Sequence, residues 1–136
     1  MLTDKRAANM AEAAISMPVV LLILVFALNV SRAGYAAMAA RNAANYGARV
    51  GAVAGTNARS YAESAAKASL AQSGVSGDFP VEVTILGSGR GTVVMVTVGW
   101  SSPTIMAGIC SLFGEGCPKE FSGEARSAWR REGVRP

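Results

Sequence analysis

At 136 residues the chain has room for one compact domain and not for a multidomain enzyme. Hydrophobic residues make up 51% and charged residues only 16%, and histidine is missing altogether; the balance disfavours a freely soluble globule, and it excludes Ser-His and Cys-His catalysis and imidazole ligation of a metal. The net charge of +4 is carried singly by Arg32, Arg41, Arg49 and Arg59 and gathers only at Arg126, Arg130, Arg131 and Arg135, the pattern of a solvated face with a basic tail and not of a nucleic-acid footprint.

In chain order, a short basic start with Lys5 and Arg6 leads into the small residues Ala7 and Ala8, then Glu12. From Ala13 to Ser31 there are 19 consecutive uncharged residues, with the run VVLLILVFAL at 19–28. As a helix they span about 28 Å at 1.5 Å per residue, close to the roughly 30 Å of bilayer hydrocarbon. One transmembrane helix is predicted. Two residues in this region cost free energy. A carboxylate such as Glu12 is penalised by about 2.5–3.5 kcal/mol at the bilayer centre and by less near an interface, and Pro18 forgoes a helical hydrogen bond. Together they suggest an assembly interface, with a headgroup-level carboxylate and a simple kink as the plainer alternative.

Beyond Arg32 the composition turns to alanine, the strongest helix former, so residues 33–55 are expected to carry the same helix into water. Tyr35, Met38, Tyr46, Val50 and Val53 form a weak stripe at helical spacing, while Gly47, Gly51 and Gly55 recur every four residues after Ala36, Ala40 and Ala44. Small residues at this spacing let another backbone approach closely. They are expected to pack on a second helix of this chain or of a neighbour. Gly55-Thr56-Asn57 marks a stop, and Ser60 with Glu63 forms a capping-box pattern opening a second helix to about Gln72.

After Pro80 the period changes to two. VEVTIL at 81–86, a glycine-rich turn at 87–91 and TVVMVTVGW at 92–100 predict a β-hairpin, and EFSGEARSAWR at 120–130 a third strand. The intervening 101–118 is expected to be irregular with one short helix. It holds the only cysteines, Cys110 and Cys117, too few for a four-thiolate zinc site. In an oxidising compartment they are expected to close a small disulfide loop; elsewhere they are reduced thiols. The predicted class is α+β, in three parts: a leader at 1–7, a transmembrane and extended helix at 8–55, and a second helix with a small antiparallel sheet at 56–136.

The stretch RAANMAEAAISMPVVLLILVFALNVSRAGYAAMAARNAANYGARVGA resembles the N-terminal half of TadE-like proteins, the minor pilin-like subunits of tight-adherence (Flp) pilus systems. In that family a short basic leader ends in a small residue, glutamate is fifth in the mature chain, and a proline follows six positions later. Here a cut after Ala7 makes Ala8 first, Glu12 fifth and Pro18 eleventh. The resemblance implies a structural subunit of the inner membrane, not an enzyme, with its C-terminal part in the periplasm. It also implies as partners a prepilin peptidase acting at Ala7 and Ala8, other pilin-like subunits, the pilus assembly machinery and membrane lipid. No cofactor, metal, nucleic acid or small-molecule substrate is expected. The rival from another class is an unprocessed, single-pass, membrane-tethered periplasmic binding module using the hairpin and the 110–117 loop.

Overall fold

The computed structural model describes residues 2–89, 91–105, 108 and 119–131, with side chains from Met10 onward. Cys110, Cys117 and the loop they would close lie outside the described residues. Helix α1 (Leu2–Val53) runs unbroken for 52 residues, so the basic start is continuous in backbone with the apolar and alanine-rich stretches. Pro18 sits inside it, and the helix continues past the hydrogen bond that proline forgoes. A short 3-10 turn (Gly55–Asn57) follows, then α2 (Ala58–Ser73).

The start of α2 differs from the expected capping box. Asn57 occupies the cap position without a side-chain capping bond, and Ser60 lies inside the first turn. Glu63 instead binds forward, at 2.6 Å from Nζ of Lys67 four residues on. A charged partner on the same helix face outcompetes a neutral backbone amide for a carboxylate. The other end of α2 stops at Gly74, whose φ of 66° is left-handed and suits a residue without Cβ.

Three strands form an antiparallel meander, β1 (Val81–Leu86), β2 (Val93–Pro103) and β3 (Glu120–Arg130), in the order β1-β2-β3. Val81 pairs with Val98, and Val98 with Ala125. β2 therefore continues through 101–103, where an irregular segment was expected, because Ser101, Ser102 and Pro103 find partners in Ser122, Phe121 and Glu120. Pro103 ends it, where a missing backbone donor costs least.

Both helices lie on one face of the sheet. Val94, Val96 and Val98 alternate inward, fully buried, against Ala40, Ala43, Ala44 and Ala48 of α1 and Ala58, Ala62 and Ala66 of α2. Among the described residues, the fully buried side chains of this core are no larger than valine. Its density comes from close backbone approach, which small side chains allow. The indole of Trp100 covers Gly123 on β3, where an added Cβ would stand 2.9 Å from the ring, so an aromatic ring supplies the packing surface that glycine lacks.

Candidate functional site

The N-terminal half of α1 is uncovered by the rest of the chain. Met10, Ile15, Met17, Leu21, Ile23, Leu24, Phe26 and Leu28 are all more than half exposed, and they lie around the whole circumference of the helix. A helix apolar on every side, and without protein around it, is suited to lipid or to contact with other apolar protein surface. It is a candidate membrane span by length and composition.

Glu12 projects from this surface one residue before the uncharged run and is exposed. The positions three and four residues either side of it are Ala8, Asn9, Ile15 and Ser16, none of them a cation, so no ion pair can form along the helix. The geometry of an α-helix sets Glu12 and Pro18 about 120° apart around the axis and ~9 Å along it. They therefore lie on different faces of the helix. Around Pro18 a shallow apolar groove is lined by Ala14, Met17, Val20, Leu21 and Leu24. The Ala7–Ala8 bond lies within the opening turns of α1.

The small-residue face separates into two. Gly47 and Gly51 meet α2: a Cβ built on Gly47 would stand 2.8 Å from the carbonyl oxygen of Ala62, and one on Gly51 would stand 2.8 Å from Cβ of Ala62 and 2.9 Å from Cγ1 of Val94. Gly55 has left the helix. Its φ of 68° belongs to the linker, and a Cβ built there would stand 3.4 Å from the guanidinium of Arg131. Arg49 in turn lies over the ring of Trp129 at 5.7 Å, tying the far end of α1 to β3. Tyr46, Val50, Val53 and Tyr61 line an open groove beside it.

Two further contacts fasten the head where the apolar run ends, and neither was expected from sequence. Asn29 is 3% exposed; its Nδ2 donates to the Val25 carbonyl at 3.0 Å, and its Oδ1 accepts from the backbone N–H of Ile105 at 2.8 Å. The hydroxyl of Tyr35 donates to the carbonyl of Ser73 at the end of α2, at 3.0 Å. An amide at the close of a hydrocarbon-like run was the only sequence signal. The head thus begins within a turn or two of the candidate membrane span. Among the described residues no group of side chains is arranged to hold a metal ion.

No curated protein and no solved structure matches this chain. The uncovered half of α1 and most of its alanine-rich continuation, residues 8–49, match the family model described as TadE-like protein.

Proposed function

We propose that this chain is a membrane-anchored, minor pilin-like structural subunit that helps to assemble or anchor a tight-adherence pilus of the Flp, type IVb-like kind, with its head in the periplasm. One observation carries the reading: the segment that matches the TadE-like family coincides with a continuous helix whose apolar surface is uncovered and whose carboxylate, Glu12, has no cation within reach along the helix.

A prepilin peptidase opens the first turns of α1, held at the cytoplasmic face by Lys5 and Arg6, and cuts between Ala7 and Ala8, where small side chains leave the backbone accessible. The new α-amine, with an ordinary pKa of about 8, is mostly protonated at neutral pH. It pairs with Glu12 of an adjacent subunit and sets the register of two helices. In an apolar surrounding, geometry and desolvation decide the worth of such a pair more than charge alone. Pro18 and the groove beside it meet a further neighbour. Cys110 and Cys117 close a disulfide in the oxidising periplasm.

The test is Ala7→Leu in the full chain. Intact mass of the membrane-extracted protein should show loss of the first seven residues in the parent chain and full retention in the variant, with the helix still inserted and pilus-dependent attachment lost. Trimming at the same bond in the variant would overturn the proposal. Attachment with the leader retained would do so as well, and would favour a membrane-tethered binding module.

A further inference from the structure

We propose that the cleft where α1 leaves its apolar run is a binding site for the headgroup of an anionic phospholipid. The inference rests on the membrane-spanning reading of α1 and goes beyond it, because it assigns a lipid class and a site.

The cleft, of about 500 Å³, is bounded by Leu28, Ser31, Arg32 and Tyr35 of α1, by Val75 and Ser76 of the α2–β1 connection, and by Ser101 at the end of β2. Its polarity follows that of a phospholipid standing beside the helix. Leu28, 58% exposed, belongs to the apolar run and faces an acyl chain. Arg32 is the first charge after Ala13–Ser31 and stands one helical turn above Leu28, at phosphate level. The serines lie at the polar end of the cleft.

The donors are available. The Ser31 hydroxyl is committed to the Ala27 carbonyl and the Tyr35 hydroxyl to the Ser73 carbonyl. Among the described residues, no ion pair engages Arg32 and no side-chain hydrogen bond engages Ser76 or Ser101. No carboxylate lines the cleft. The C-terminal end of α2 does point here, and its partial negative charge, about half an elementary charge, opposes an anion. Tyr35 takes up one of its carbonyls, and the full charge of Arg32 outweighs the remainder. Guanidinium also matches phosphate in geometry, with two parallel N–H donors.

A zwitterionic headgroup carries the same phosphate with a compensating cation, so the site discriminates by net charge. One arginine near an anionic surface is worth about a fivefold preference. Arg32 is exposed, so its replacement leaves the fold intact.

The experiment reconstitutes the full chain in vesicles of phosphatidylglycerol and phosphatidylcholine. Flotation is measured first, and the retained lipid is then identified by native mass spectrometry. The parent chain should retain phosphatidylglycerol about fivefold over phosphatidylcholine, Arg32→Gln should bring the ratio near unity, and Arg41→Gln should leave it unchanged. The proposal is overturned if Arg32→Gln keeps the preference, or if Arg41→Gln loses it equally, which would indicate general surface charge. It is also overturned if inorganic phosphate displaces the lipid, which would make this a free-phosphate site. Failure to float would remove the membrane-spanning reading together with the cleft; flotation without lipid preference would remove the cleft alone.

Discussion

A single methyl group should have opposite effects at two glycines of the same helix. At Gly34 nothing lies within 4 Å of an added Cβ, so Gly34→Ala gains the helix propensity of alanine, about 0.5–1 kcal/mol. At Gly47 the same Cβ would stand 2.8 Å from the backbone oxygen of Ala62 and 3.0 Å from Cβ of Ala66. A backbone carbonyl in a packed helix cannot swing aside, so α1 and α2 must separate, and overpacking of this kind costs about 1–3 kcal/mol. Propensity offsets part of that, leaving a net loss of about 1 kcal/mol for Gly47→Ala. In a chain of this size about 1 kcal/mol moves the melting temperature by roughly 3–5 °C. The assay is thermal unfolding of the full chain in detergent, followed through tryptophan fluorescence, since Trp100 and Trp129 report on the head while the apolar part of α1 stays helical. Gly34→Ala should melt higher than the parent and Gly47→Ala lower. Adding Ala66→Gly to Gly47→Ala should recover little, because the nearer obstruction is the Ala62 carbonyl. A rise in both single variants would refute the close approach of α1 to α2.

Asn29→Leu removes the acceptor for the Ile105 amide. The orphaned donor costs about 1–3 kcal/mol, and hydrogen exchange at Ile105 should accelerate while insertion becomes easier; unchanged exchange would count against the contact. Glu63 has its pKa lowered by the hydrogen bond and charge of Lys67, so the folded chain binds that proton less tightly than the unfolded one. Its support for α2 is present above the ordinary carboxylate range and is lost as pH falls through the lowered value. Being exposed, the pair is weak and salt-sensitive, and Glu63→Gln should flatten the acid dependence of melting at low salt. Glu12→Ala should remain membrane-inserted, as resistance to alkaline extraction would show, yet fail to assemble; failure to insert would give the carboxylate a different role.

The periodicities in the chain determine its elements because they are local. Nineteen uncharged residues force a helix that protein need not cover, alanine continues it, and the change to period two at Val81 yields β1 and β3 with the bounds expected from VEVTIL and EFSGEARSAWR. The TadE-like segment is legible for the same reason, since Glu12 and Pro18 stand six residues apart along one helix. What escapes sequence is the choice among partners. The Ser60 and Glu63 pattern fits a cap equally well whether or not Lys67 claims the carboxylate, and β2 extends to Pro103 only because β3 is there to pair with it. Gly47, Gly51 and Gly55 share one spacing, yet only the first two face α2, because the chain turns at Gly55. Asn29 meets an amide 76 residues away, and Arg32 lines one cleft with Ser76 and Ser101. Propensity and period are set by neighbours a few residues apart, whereas these contacts come from segments that only the packing of two helices on one sheet brings together.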